Sequence, residues 1–441
     1  MKIHGKTAAE IFECVRTLVQ SGQCPPGQVL PSVRDLSESL GINRNTVAVA
    51  YRRLVTTGIA TAQGRLGTII RSQSALGEQE GAQAGTPLID LASGNPNPAW
   101  LPDLRTALTE RPWQPRLYGE PIVNTGLEAF IRQWCAPDCP VSFEIDLTHG
   151  AVDAIERLLN AYLMPGDKVA VESPCFLSSI NLLRTAGLQA VGVPLDSEGM
   201  RADGLEAALA KGAQAVILTP RAHNPTGCSL SEKRARVLSR VLDKHPHVLV
   251  VVDDHFALLS NAPYYSVISR NASRWALVRS FSKAFGPDVR VAAVASDAAT
   301  SRQLRIRLAS GTSWVSHLLQ DMIEGALSRV DTAKLMGKAK IDYVRRRETL
   351  QAALQAQGIP FAAHGDGLNL WLPLQENDVT AALALARQGW LVRHGEIFSV
   401  QEPVRGLRIT TSSIEPESCR QLALHIRSSL KETPADSTLP L

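Results

Sequence analysis

Three short segments hold residues whose types and order could do chemistry. Asn224-Pro225-Thr226-Gly227 directly follows the apolar run AVILTP (215–220). A strand ending in a Pro/Gly turn puts the Asn side chain on the C-terminal rim of a sheet, where open α/β sheets bind ligands. The run VLVVVDDH (248–255) ends in two carboxylates and a histidine. A carboxylate such as Asp253 at a strand end can pair with a protonated ring nitrogen, as a pyridoxal pyridinium needs if its ring is to accept electrons. Ser280-Phe281-Ser282-Lys283 closes a third apolar run, with Pro287 and Arg290 just beyond. Lys283 could form a Schiff base with an aldehyde, and Ser280, Ser282 and Arg290 could hold a phosphate. Taken singly, each segment also reads as something ordinary: a turn, a capping or metal-binding Asp, a surface loop.

The elements that must position these residues alternate. Strand-like runs at 168–172, 215–220, 248–254 and 275–282 are separated by helical stretches, which predicts an α/β unit with a largely parallel sheet. A continuous helical region over 302–356 precedes short strands near 368–374 and 406–412. Helices are expected around 378–388 and 416–431. This last part reads as a smaller α+β subdomain.

The first 71 residues differ in character. They hold nine Lys/Arg and four Asp/Glu, whereas the remaining 370 are almost neutral, so a whole-chain net charge of +4 conceals a compact basic module. Such a module suits nucleic-acid contact, although a cluster of solvated arginines gives the same count. Helices are predicted over 6–21, at VRDLSESL (33–40) after Ser32, and from Arg44 to Thr57 after Asn43. A hairpin follows, with Arg65 at its tip. In a helix-turn-helix the second helix of the pair offers its first residues, here Arg44, Asn45 and Thr46, to base edges, while Arg34, Arg52 and Arg53 suit phosphates; Ser32 and Arg65 are further DNA-contact candidates. Residues 72–88 are rich in Gly, Ala, Gln and Ser and read as a linker. The expected division is therefore 1–71, 72–88 and 89–441.

The stretch PPGQVLPSVRDLSESLGINRNTVAVAYRRLVTTG…GTII resembles the winged helix of the GntR family of bacterial regulators. Leu30, Pro31, Ser32, Arg34, Leu36, Leu40, Gly41, Arg44, Thr46, Val47, Ala50, Tyr51, Leu54, Gly58, Gly67 and Thr68 fall on its pattern, and Leu66 departs from it. The spacing from Asn224 to Asp253 to Lys283 resembles fold-type-I pyridoxal-phosphate enzymes, the aminotransferases, over roughly 89–430. That second resemblance implies pyridoxal 5'-phosphate held as an aldimine on Lys283. Asp253 would then lie on the pyridine nitrogen and Asn224 on the ring hydroxyl. It also implies Gly150, Ala151 and Val152 as the phosphate loop, Phe176 stacked on the ring, and Tyr118 reaching the phosphate, often across a dimer. Arg408 would take a substrate carboxylate. His255 stands where the family usually has tyrosine, and Asp288 where it has glycine; Arg221 could contact ligand.

Together the two parts resemble the MocR subfamily of GntR-type regulators. The resemblance implies a head-to-tail homodimer that binds double-stranded promoter DNA and answers to pyridoxal phosphate or a related B6 vitamer. Regulation of vitamin B6 metabolism through pyridoxal kinase expression is the expected role. A working aminotransferase carrying a DNA-binding module is the alternative, and a cofactor-free scaffold the blandest reading. The seven scattered cysteines predict reduced thiols and no metal site, and no apolar run is long enough to span a membrane. The N-terminus does not read as a secretory signal, so a cytoplasmic protein is expected.

Overall fold

The computed structural model describes residues 2–57, 59–62, 67–70, 80–81, 85–109, 115–140, 142–363 and 365–431. It divides into two compact units, one built on residues 1–79 with 163–167 and 181–189, the other on 80–162, 168–180 and 190–441.

Among the described residues of 1–79 are three helices, α1 (Ala8–Gln20), α2 (Val33–Leu40) and α3 (Arg44–Thr56), and an antiparallel hairpin, β1 (Ala60–Ala62) with β2 (Thr68–Ile70). Each helix starts on a side-chain cap. Thr7 accepts from the Glu10 N–H, Ser32 from Asp35 and Asn43 from Asn45. Gly41 ends α2 at φ +64°, a conformation cheap only for glycine, and α3 starts three residues later at Arg44. Ile11, Phe12, Val15, Leu36, Val47, Tyr51 and Leu54 form the core, and the Tyr51 hydroxyl donates to the Pro31 carbonyl at 2.8 Å.

The second unit is built on an eight-stranded sheet. Its order is Glu144–Thr148, Ala292–Ser296, Trp275–Ser280, Leu249–Asp253, Ala213–Leu218, Lys168–Ser173, Gln189–Asp196, Gly199–Met200. The four central strands, from Trp275–Ser280 to Lys168–Ser173, run parallel, and Ala292–Ser296 is antiparallel to both of its neighbours. The central strands are runs of Val, Ile, Leu and Ala buried on both faces, as helix-covered parallel strands must be. In a smaller three-stranded sheet Gly406–Thr410 lies between Asn369–Pro373 and Arg393–His394, antiparallel to both. Val330–Ala356, Asp378–Arg387 and Ser418–Lys431 supply its helices. Ile89–Asp90 pairs with Trp390–Leu391, and the Thr410 N–H donates to the Leu91 carbonyl, so the start of this unit lies against its end.

The sequence predicts one helical region over 302–356; the structure breaks it into Ala298–Ala309, His317–Leu327 and Val330–Ala356. Gly311 and the left-handed Ser313 lie in the first of these breaks. All seven cysteines are free, and among the described residues no helix is long and apolar enough to cross a membrane.

Candidate functional site

The strand order explains how residues about thirty positions apart converge. Leu249–Asp253 lies between Ala213–Leu218 and Trp275–Ser280, parallel to both, with Asp253 level with Val278. The C-terminal ends of three adjacent strands therefore carry Asn224, Asp253 and Lys283 to one rim. Thr148 pairs with Ala292, which pairs with Ser280, and this brings the Gly150–Val152 turn, Arg290 and Ser280 to the same edge. A cavity of about 280 Å³ opens there. Asn224, Asp253, His255, Phe176, Ala151, Val152, Ser280, Ser282, Lys283 and Arg290 all line it.

One end of this cavity suits an anion. Helix Ala151–Tyr162 points its N-terminus there, and backbone N–H groups at a helix start attract negative charge. Gly150 enters that helix at φ +95°, and a β-carbon on it would meet the Arg290 guanidinium at 3.5 Å. Arg290 is exposed and makes no ion pair among the described residues.

Deeper in, Asp253 is buried and its Oδ1 has no hydrogen-bond partner. Burial raises its pKa and the Asp254 charge adds to this, against His255 and Lys283. The His255 ring nitrogen Nδ1 stands 3.8 Å from that orphaned oxygen, and burial lowers the histidine's pKa. A buried carboxylate oxygen without a partner calls for a cationic donor. The Lys283 ammonium donates to the Gly94 carbonyl at 2.7 Å. Burial, with the neighbouring Arg408 charge, lowers its pKa, while Glu80 and Asp253 oppose that shift. An amine held nearer neutrality is a better nucleophile toward an aldehyde.

Beneath the Asn224 turn lies a second buried pair. Burial pushes Glu172 up to about 8 and His223 down to about 3, with His223 Nε2 3.4 Å from Glu172 Oε2. The Thr219 N–H donates to both Glu172 oxygens.

Several expected positions lie elsewhere. Tyr118 is 91 % exposed, packs edge-on to Trp314 at 5.5 Å and does not line the cavity of its own chain. Arg221 turns away from the cavity and makes two hydrogen bonds to Asp254 at 2.7 and 2.8 Å, with Arg279 on the same carboxylate at 2.9 Å. Arg408 is fully buried behind a residue from the presumed linker: the Glu80 carboxylate receives its two terminal nitrogens at 2.5 and 2.9 Å. Glu80 and Gly81 line the cavity together with Ser93, Gly94, Asn95, Ser178 and Thr219, none of which was expected there. The Glu80–Arg408 pair spans 328 residues, so no local spacing announced it.

On the first unit, Arg44 and Asn45 stand exposed at the start of α3, with Thr46 half-buried, and Arg34 and Arg52 are exposed. Ser32 is engaged as the α2 cap. Arg53, expected on phosphate, lays its guanidinium over the Phe12 ring at 4.3 Å. Glu38 bridges Arg34 at 3.0 Å and Arg44 at 3.5 Å. Arg65 lies outside the described residues, as does most of 72–88.

A largely parallel sheet whose rim gathers Asn, Asp and Lys, on one chain with a capped helix-turn-helix, defines a class. Residues 86–426 match the aminotransferase class I and II model, and residues 7–70 match that of bacterial regulatory proteins of the gntR family. The chain belongs to the gntR-type regulators with an aminotransferase domain, the MocR architecture. It is 50% identical over 428 residues to the vitamin B6 salvage pathway transcriptional repressor PtsJ of Salmonella typhimurium, covering 97% of this chain and 99% of that one. It is 26% identical to the HTH-type transcriptional regulator TauR of Rhodobacter capsulatus, over 93% and 94% of the two chains. The kynurenine aminotransferase of Pyrococcus horikoshii superposes with a TM-score of 0.71 at 21% identity, over 79% of this chain and 92% of that one, which establishes the fold.

Proposed function

We propose that this chain is a transcriptional repressor of vitamin B6 salvage whose effector is pyridoxal 5'-phosphate. The observation that carries the proposal is the orphaned buried Oδ1 of Asp253, facing the same cavity as Lys283 on a chain with a gntR-type module. That site fits four features of the cofactor. Asp253 would hold the ring nitrogen, and Arg290, Ser280, Ser282 and the Gly150–Val152 turn the phosphate. Phe176 would cover the ring, and Lys283 would meet the aldehyde. Bound there, pyridoxal phosphate supplies an electrophilic aldehyde and a cationic aromatic ring. Arg44, Asn45 and Thr46 read operator bases, while Arg34 and Arg52 bind phosphates. Residues 1–71 act as the DNA-binding domain, 72–88 as the connection and 89–441 as the sensing and dimerisation domain. Exposed Leu117 and Tyr118 support a homodimer, head-to-tail, in which Tyr118 completes the partner's phosphate end. The relative's printed role supports the salvage assignment, and a cytoplasmic location follows from DNA binding.

The effector shifts DNA affinity only if it binds two states of the dimer unequally. Footprinting and gel shift of promoter DNA, with and without the cofactor, test this. Lys283→Ala should remove the lysine-dependent absorbance and most of the cofactor response. Identical DNA affinity with and without cofactor in the wild type, despite full cofactor binding, refutes the effector role.

A further inference from the structure

The carboxylate end of the cavity is already filled from within the chain. Glu80 makes a two-pronged ion pair with Arg408, at 2.5 and 2.9 Å, and accepts from Asn224 Nδ2 at 3.0 Å. Arg408 Nη1 also donates to Asn224 Oδ1 at 2.9 Å, its Nη2 donates to the Ala92 carbonyl, and its charge lies over the Phe398 ring at 5.2 Å. The guanidinium is fully buried, and Glu80 is the one carboxylate on it among the described residues. The backbone beside Glu80 is pinned as well. The Gly81 N–H donates to the Ser93 carbonyl at 3.0 Å, and Arg393 Nη2 donates to the Gly81 carbonyl at 2.8 Å. A β-carbon on Gly94 would meet Glu80 Oε2 at 2.8 Å, so glycine is needed there for the carboxylate to seat. Burial opposes ionisation of Glu80, yet the Arg408 charge and hydrogen bonds, with Lys283 and Asn224, hold it below the usual carboxylate range.

We propose that Glu80 is a specificity-determining residue: it acts as an internal carboxylate ligand that occupies Arg408 and Asn224, so the pocket accepts an aldehyde vitamer but excludes amino and keto acids. The proposal rests on the cofactor-sensing reading above and extends it to which ligands are refused. A carboxylate tethered at its own site competes at an effective concentration of about millimolar or more. A free carboxylate must displace it, and the apparent affinity falls by the factor to which Glu80 is seated. Glu80 also takes up the Asn224 amide donor, and Lys283 Nζ rests on Gly94, two residues past Ala92, which accepts from Arg408. Carboxylate exclusion and the amine's resting place thus share one short segment.

The test uses the full-length chain, wild type and Glu80→Ala. In cofactor-free protein, Glu80→Ala leaves a buried guanidinium without its counter-charge, so its melting temperature should fall. Propionate or pyruvate should restore it at least tenfold more effectively than either stabilises the wild type, and chloride at equal ionic strength should not. Glu80→Gln, which keeps the shape without the charge, should show the same rescue more weakly and serves if the alanine variant does not fold. In cofactor-loaded protein, L-alanine should perturb the lysine-dependent absorbance of Glu80→Ala at a concentration at least tenfold lower than in the wild type. Equal carboxylate sensitivity of both variants and the wild type overturns the proposal. Absence of any lysine-dependent absorbance in the wild type would instead overturn the cofactor reading, while leaving the carboxylate rescue measurable.

Discussion

Replacing Asp253 with asparagine should move the ligand-free protein and its cofactor complex in opposite directions. The side chain is 5 % exposed with one oxygen unpartnered, and burial raises its pKa. An unsatisfied buried polar group costs about 1–3 kcal/mol, more when charged. Asparagine keeps the shape and removes the charge, so the ligand-free variant should gain on the order of 1–2 kcal/mol at pH 8. In a unit this large that is roughly 1–2 °C of melting temperature per kcal/mol. The pH dependence has a definite sign. A folded pKa raised above 3.8 means the native state keeps a proton that the unfolded chain has released. This contribution is therefore complete below pH 3.8 and is lost as pH rises through the folded value, a slope that asparagine abolishes. With cofactor bound, the same change removes a charge-assisted hydrogen bond worth about 1.5–3 kcal/mol, or about 10- to 150-fold in Kd. Melting curves at pH 6 and pH 8 without ligand, and an absorbance titration with pyridoxal phosphate, measure both effects. A less stable ligand-free variant with unchanged cofactor affinity would refute the reasoning.

Four further outcomes are expected. Glu172 is raised to about 8 and His223 lowered to about 3, so the pair keeps Glu172 protonated and His223 neutral at moderate pH. Stability should decline with acid below about pH 4.5, as His223 resists the proton that the unfolded histidine takes. It should decline again between about pH 6.5 and 8, as Glu172 resists ionising; Glu172→Gln should flatten the upper decline in a melting-temperature series. Gly150→Ala places a side chain at φ +95° against Arg290, so it should cost about 1–2 kcal/mol of stability and weaken inorganic phosphate and cofactor binding together, read by calorimetry. Glu38→Gln frees Arg34 and Arg44 and should tighten DNA binding and steepen its salt dependence. Arg44→Ala should instead cost about 1–3 kcal/mol and relax sequence preference, and equal losses on operator and random DNA would contradict base reading by Arg44.

The parts of the site that were legible share a cause. Asp253 ends a buried β-run and Asn224 and Lys283 follow closely after two others, and parallel strands deliver successive run-ends to one rim, so regular spacing foretold their meeting. Ser32 and Gly41 were readable because caps and left-handed turns are local. The stacking of Arg53 on Phe12 was not legible, because its partner lies on another helix. Arg221 misled because adjacency to Asn224 in sequence says nothing of which side of the turn a side chain takes. The helical pattern over 302–356 hid two breaks, and in the first Ser313 adopts a left-handed conformation that its residue type does not announce.

Residue types and short-range spacing were enough to establish a basic winged helix joined to an α/β aminotransferase-like body, and the lysine, aspartate and asparagine at its centre. Caps, turns and strand periodicity act over a few residues, and composition records them. The tertiary structure alone decided that Arg408 does not stand open to a ligand. A carboxylate 328 positions earlier reaches it because Ile89–Asp90 pairs with Trp390–Leu391 and folds the start of the unit onto its end. A contact made through chain closure leaves no mark on local sequence, and Glu80 therefore read as one more polar residue in a linker.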